Sequence, residues 1–330
     1  METIRCDGDT ITLLDQTRLP HDVVELVIDN VADLVAAIRR LSVRGAPAIG
    51  VAGAYGVAMA ARLFDPTSAA FEAAVRDIRA VRPTAVNLAY AVDRVAPIAR
   101  LDPAAALVEA HAIRDQELAS SIAMGELGAD LATELVERST IKVITVCNTG
   151  GLAAVERGTA LAVIQTLHER GVLGEAVAME TRPLLQGARL TTWELQRMGA
   201  PYRLIVDSAA PFLLSRGAAD IAIFGADRIA ANGDVANKIG SFSLSLGAQY
   251  ARVPVVVVAP ESTVDMSTAT GAVIEIEDRG SAEVASVHGV PIAAEGSEAM
   301  NPAFDITPAS MITAIVTEKR VVRLAAGERL

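Results

Sequence analysis

Aromatic side chains are scarce, at 3% of the chain, while 52% of the residues are hydrophobic, mostly Ala, Val, Leu and Ile. That balance excludes a disordered polymer and fits a globular α/β enzyme. Cysteine is nearly absent. Cys6 and Cys147 stand far apart in 330 residues, which excludes a disulfide framework and makes a reducing, cytoplasmic setting the expectation. Positive charge is the minority sign, with 29 Lys and Arg against 40 Asp and Glu and a net charge of −11. A nucleic-acid partner is not expected, because no basic stripe is present. An anionic small substrate would have to be held by a few local cations.

Other absences narrow the chemistry. His21, His111, His168 and His288 are scattered without ligand spacing, so no metal is expected. There is no G-x-x-x-x-G-K-S/T loop, no G-x-G-x-x-G fingerprint and no G-x-S-x-G elbow. P-loop nucleotide hydrolysis, hydride transfer to NAD and serine hydrolysis are therefore disfavoured. The start of the chain carries no basic-then-apolar leader signal. Gly45–Ala61 is uncharged, but it is short for a membrane span and rich in Gly and Ala. It reads as a buried helix of small residues, and no membrane partner is expected. No internal repeat or low-complexity tract interrupts the chain.

The length suits two domains or one large one. Residues 1–20 read as a short hairpin with an Asp7-Gly8 turn. From Asp22 to about Glu137 apolar residues recur at helix spacing, as in Val31, Leu34, Val35, Ile38 and Leu41. Near Ser139 the texture changes. Apolar runs at 141–146, 176–179, 202–206, 219–224 and 253–259 alternate with helical segments at 158–170, 187–198, 209–216 and 237–251. The expectation is an α/β protein with a helical domain over 1–137 and a parallel sheet flanked by helices over 138–330. Residues 310–318 read as one more helix.

Each apolar run of the second half ends in a polar or reactive residue: Cys147, Glu180-Thr181-Arg182, Asp207-Ser208, Asp227 and Pro260-Glu261. In a parallel sheet such ends lie side by side and form one crevice. Cys147 precedes a Gly-containing turn, where local N–H groups favour a thiolate; an inert core thiol is the plainer reading. Asp227 ends an apolar run, where desolvation would favour its neutral form and suit it to acid–base work. Asn237-Lys238 is expected to open a helix and offer an anion site; a solvated lysine is the alternative. Arg44-Gly45 and Arg82-Pro83 each stand before a helical stretch, where a guanidinium and backbone amides can share one anion. Arg182, Gln186 and Arg189 follow the second run; a surface or interdomain ion pair is the commoner use of such arginines.

Taken together and in order, LDQTRLP (14–20), RGAPAIGVAGAYG (44–56), RPTAVNL (82–88), CNTG (147–150), ETRPLLQGARLTTWEL (180–195), GADRIAANGDVANKIG (225–240) and NPAFDITP (301–308) resemble the methylthioribose-1-phosphate isomerases. The resemblance runs over essentially the whole chain. The wider superfamily includes ribose-1,5-bisphosphate isomerase and the regulatory subunits of the factor that recycles eukaryotic initiation factor 2. It implies a small antiparallel sheet with a helical bundle, a Rossmann-like C-terminal domain, an active site between the two and a homodimer. By motif it implies Cys147 and Asp227 as the catalytic pair and Arg44, Gly45, Ala46, Arg82, Gln186, Asn237 and Lys238 as binders of the sugar phosphate, with no cofactor. The implied reaction is an aldose-to-ketose shift on 5-methylthioribose 1-phosphate in methionine salvage. 5-Deoxyribose 1-phosphate is the competing substrate, and a non-catalytic regulatory member is the remaining alternative. The chain departs from the family at Val146, where His is common, at Thr149-Gly150-Gly151, and at Cys6, where Trp often stands.

Overall fold

The computed structural model describes residues 2–8, 10–82 and 86–330. Two compact units are present, one of Met1–Ser121 with Thr149–Gly158, the other of Ile122–Asn148 with Thr159–Leu330.

The first unit begins with an antiparallel sheet of three strands, β1 (Ile4–Cys6), β2 (Ile11–Leu14) and β3 (Glu25–Ile28), in that order. The hairpin β1–β2 matches the sequence expectation; Asp9 lies outside the described residues. Strand β3 was not expected, because the stretch after Asp22 reads as helical. Four residues carry too little pattern alone, and β3 is ordered by its ladder with β2, Ile11 opposite Ile28 and Leu13 opposite Leu26.

Helices α1 (Val31–Arg39), α2 (Ala46–Leu63), α3 (Ala69–Ala80), α4 (Val86–Leu101) and α5 (Pro103–Leu135) follow. The side chains of Asn30 and Ser68 cap α1 and α3 by accepting from the amides of Asp33 and Phe71 at 2.9 and 3.2 Å. The small residues of α2 let its neighbours in closely. A methyl on Gly53 would lie 2.4 Å from Leu88 Cδ1, and one on Gly56 2.5 Å from Leu34 Cδ2. Helix α2 is apolar and long enough to cross a membrane, yet 78% of it is buried within the fold. It is the central helix of the first core, packed among Leu34, Ile38, Phe71, Ile78, Leu88 and Val92.

In the second unit come β4 (Ile141–Thr145), α6 (Ala160–Glu169), β5 (Leu173–Met179), a π-helical turn (Gly187–Thr191) that leads into α7 (Thr192–Met198), β6 (Tyr202–Ile205), α8 (Ala210–Ser215) and β7 (Ile221–Phe224). Then follow β8 (Arg228–Ala230), β9 (Val235–Lys238), α9 (Ser241–Ala251), β10 (Val255–Val258), β11 (Val264–Asp265), α10 (Ala282–Ala285), β12 (Ser286–Val287), β13 (Val290–Pro291), β14 (Phe304–Thr307), β15 (Ala314–Val316) and β16 (Val321–Val322).

The main sheet has the order β16-β15-β10-β7-β4-β5-β6, parallel except for β16. Strands β7, β10 and β15 are wholly apolar because both faces are covered. Val143, Ile221, Ile223, Val256 and Val258 face α6, α7 and the end of α5. Ile144, Val177, Ala222, Phe224 and Val257 face α8 and α9. The five expected runs all supply strands. Residues 310–318 do not form a helix: a single 3-10 turn, Ala309–Met311, leads into β15, which pairs with β10.

A second sheet, β11-β8-β9-β14, grows from the loop after β7. The strand-to-helix reading of 225–240 is therefore corrected. β8 and β9 form an antiparallel hairpin before α9 begins. The local signal was Asn232-Gly233, a tight-turn pair with Gly233 at φ 88°.

Candidate active site

The strand order places β7, β4, β5 and β6 side by side. The residues that follow their carboxyl ends, Asp227, Cys147, Glu180 to Arg182 and Asp207, therefore belong to one edge of the sheet. This is where open parallel sheets present their ligand crevice.

Cys147 is buried and holds a left-handed backbone with φ 66°. For a side chain with a β-carbon such a conformation costs on the order of 1–3 kcal/mol and persists only where surroundings impose it. Its amide donates to Thr181 Oγ1 at 2.8 Å, and its carbonyl accepts from Thr191 Oγ1 at 2.6 Å. The buried neighbour Asn148 donates to Glu194 Oε1 at 2.6 Å. Asp207 accepts the amides of Thr181 and Arg182, each at 2.7 Å, one on each carboxylate oxygen. Beside it, burial pushes the Glu180 carboxyl above its ordinary range, and the Asp207 charge adds to the effect while Arg182 opposes it. Glu180 is an acid of this edge to which the sequence assigned no task. Its signal was its place directly after β5.

Asp227 differs from expectation. It is exposed rather than desolvated, because the apolar run stops at the buried Gly225 and residue 227 opens the β8–β9 hairpin. Its amide donates to Ala236 O at 2.9 Å, and Arg228 faces Asp265 at 3.6 Å. Asp234 is a loop residue, as expected. Its carboxylate accepts from Asn232, Gly271 and Ala309; burial opposes ionisation, but these bonds hold its pKa below the usual value.

Asn237 and Lys238 end strand β9 instead of opening a helix. Asn237 is buried and donates to Ser241 Oγ at 2.7 Å. Lys238 Nζ donates to Ala303 O at 2.9 Å and lies 4.3 Å from the centre of the Phe304 ring. The register explains the pairing, since Phe304 stands opposite Lys238 and Asp305 opposite Asn237 in the β9–β14 ladder. Two amides at the start of α9 are already taken. Asp305 accepts from Gly240 at 2.7 Å and from Phe242 at 3.1 Å. A methyl on Gly240 would lie 3.6 Å from Val146 Cγ2 and 3.7 Å from Met179 Cε, so this corner rests on the ends of β4 and β5.

Gln186 is buried just before the π-helical turn, and its Oε1 has no hydrogen-bond partner among the described residues. Arg182 is spent on backbone carbonyls, those of Pro183 at 3.0 Å and Val284 at 2.9 Å. Arg189 lies 3.5 Å from Leu184 O.

In the first unit, Arg44, Gly45 and Ala46 form the half-buried entry to α2. The first turn of α2 has neither an acidic residue nor a side-chain cap. Gly45 holds φ 87°, and a methyl there would lie 2.2 Å from Ala153 O. Arg82 is half-buried ahead of α4, and the Pro83, Thr84 and Ala85 that follow it lie outside the described residues. Among the described residues no three His, Cys, Asp or Glu side chains gather as a metal site.

Residues 42–323 match the family model described as the initiation factor 2 subunit family. The methylthioribose-1-phosphate isomerase of Nitrosococcus oceani is 49% identical over 98% of this chain and 94% of its own. The solved 5-methylthioribose 1-phosphate isomerase of Pyrococcus horikoshii OT3 is 36% identical with a TM-score of 0.92, covering 98% of this chain and 92% of that one. The translation initiation factor eIF-2B, subunit delta, from A. fulgidus is also 36% identical, with a TM-score of 0.86 over 98% and 96% of the two chains.

Proposed function

The chain belongs to the initiation factor 2 subunit family, and on that premise we propose that it is an aldose–ketose isomerase converting 5-methylthioribose 1-phosphate to 5-methylthioribulose 1-phosphate in methionine salvage. One observation carries the reading. A thiol and a carboxylate follow the ends of adjacent parallel strands, β4 and β7, in a chain related over almost its full length to proteins of that name.

The roles assigned to single residues are part of the proposal. The anomeric carbon carries the phosphate, so the ring opens only as its C1–O4 bond breaks and O4 gains a proton. Asp227 gives that proton. Asp227 is exposed in the free chain, so the role requires that the bound sugar cover its carboxyl. Hydrogen then moves from C2 to C1. In a proton-transfer route Cys147 removes the C2 proton to leave an enediol, C1 is reprotonated, and the O2 proton leaves as the ketone forms. In a hydride route the C2 hydrogen moves with its electrons to C1 while Asp227 takes the O2 proton. Asn237, Lys238, Gln186, Arg44, Gly45, Ala46 and Arg82 are the residues assigned to binding the sugar phosphate. Support for these assignments comes from the Gln186 Oε1, which has no partner among the described residues and can accept from a sugar hydroxyl, from the cation at Lys238, and from the absence of an acidic residue in the first turn of α2. We assign the enzyme to the cytoplasm as a homodimer, without cofactor.

The test is turnover of three separate sugars by the purified protein, with ketose formation followed by NMR. Methylthioribose 1-phosphate should be converted fastest. Faster conversion of 5-deoxyribose 1-phosphate would move the assignment to that sugar. No conversion of these or of ribose 1-phosphate would favour a regulatory protein.

A further inference from the structure

The strained turn at Cys147 is held from both sides by hydroxyl groups distant in sequence. On the amide side stands Thr181, fully buried, whose Oγ1 accepts from Cys147 at 2.8 Å while its own O–H is directed to Met179 O at 3.1 Å. On the carbonyl side stands Thr191, also buried, whose O–H donates to Cys147 O at 2.6 Å. Thr191 Oγ1 further accepts from Asn148 Nδ2 at 3.3 Å, so the residue after the cysteine is tied to the same hydroxyl. Each threonine has its own support. Thr181 is itself left-handed, at φ 63°, and its amide and that of Arg182 are both held by Asp207. Thr191 is the last residue of the π-helical turn, the kind of interruption that often marks a functional position.

We propose that Thr181 and Thr191 are positioning residues that clamp the backbone of Cys147 and so aim its thiol, with Asp207 holding Thr181 in register. The inference rests on the proposed catalytic role of Cys147. The physical basis is the direction of the Cα–Cβ bond. A left-handed residue points its side chain differently from a strand or right-handed residue at the same place, so relaxation of the turn would re-aim the sulfur. Neither end of the Cys147 peptide is held by a neighbouring strand in this clamp. Loss of either hydroxyl frees one end. A displacement of about 1 Å at a reacting group is enough for a loss of about 100-fold in rate.

The test uses the full-length protein with Cys6→Ser, so that Cys147 is its single thiol. Thr181→Val and Thr191→Val remove each hydroxyl at constant shape; Thr181→Ser and Thr191→Ser restore it. Two quantities are followed: the rate of Cys147 alkylation by iodoacetamide from pH 6 to 10, and kcat and KM with methylthioribose 1-phosphate. Each valine variant should lower kcat by about 10- to 100-fold with KM changed by less than about threefold. Its alkylation rate or pH profile should move by about threefold or more, and serine should restore both. Folded valine variants with the parent alkylation profile and kcat would overturn the proposal. If valine prevents folding, Asp207→Asn takes its place, and an unchanged alkylation profile there overturns it equally. A fully active Cys147→Ser would sink the catalytic role of the thiol instead, while the alkylation profiles still decide the clamp.

Discussion

The Asp305 carboxylate accepts the Gly240 amide at 2.7 Å. It takes the Phe242 amide as well, at 3.1 Å, and so caps α9 from the neighbouring strand β14. The chain thus places its own anion at the positive end of this helix. With two amides at the start of α9 occupied in this way, the proposed sugar-phosphate contacts of Asn237 and Lys238 are assigned to their side chains.

Burial pushes Asp305 up to about 6, against the helix amides and Lys238, which pull it down. A carboxyl whose folded pKa exceeds its unfolded value favours folding while protonated. That contribution is complete below about pH 3.8 and is lost as pH rises through about 6. Asp305→Asn carries no such titration. The stability of the parent minus that of Asp305→Asn, measured by urea unfolding, should fall by up to about 3 kcal/mol between pH 4 and pH 7, each tenfold change in proton affinity being worth about 1.4 kcal/mol. A difference that stays flat with pH would refute this.

Gly45→Ala adds a methyl 2.2 Å from Ala153 O and 2.5 Å from Ala153 Cα, at a residue with φ 87°. Both the clash and the backbone oppose it, and the cost should be about 2 kcal/mol or more. Thermal unfolding should show a midpoint lowered by about 5 °C. Survival of the parent midpoint would mean that the 149–158 segment moves aside freely.

Cys147→Ser and Asp227→Asn should each lower kcat by about 100- to 10,000-fold, the range of a lost acid–base or nucleophilic group. Circular dichroism and thermal unfolding should remain those of the parent. Near-parent turnover in either variant would remove that residue from the chemistry.

Lys238→Met keeps an unbranched side chain next to the Phe304 ring, over which the Lys238 Nζ lies, but removes the charge. The loss of one charge-assisted hydrogen bond to phosphate is worth about 1.5–3 kcal/mol. KM for methylthioribose 1-phosphate should therefore rise by about 10-fold or more, with a smaller change in kcat. A KM unchanged within twofold would leave Lys238 a structural residue bound to Ala303.

Much of this protein is determined locally. Strands β7 and β10 are legible because a parallel strand covered on both faces is apolar throughout, as in the run 253–259. The buried α2 is legible for the same reason. Its glycines and alanines suit a helix whose neighbours approach to their backbone. The polar residue at the end of each run follows from strand length alone, and with it the edge on which Cys147 and Asp227 stand.

The rest depends on partners remote in sequence. Strand β3 exists through its ladder with β2, and β15 through β10, where Ile315 stands opposite Val257. No local pattern announces a strand whose hydrogen bonds are all supplied elsewhere. Asp227 is read as desolvated from the run before it, but its exposure is decided by the hairpin that follows. The amides of α9 read as free for an anion until β14 delivers Asp305. Cys147 is a cysteine at a strand end in the sequence; its left-handed turn comes from Thr181, Thr191 and Asp207. Sequence determines which residue types reach the sheet edge, since burial acts on each strand by itself. Tertiary structure alone decides their backbone angles, exposure and proton affinity, since those depend on hydrogen bonds and charges that only the folded chain brings into range.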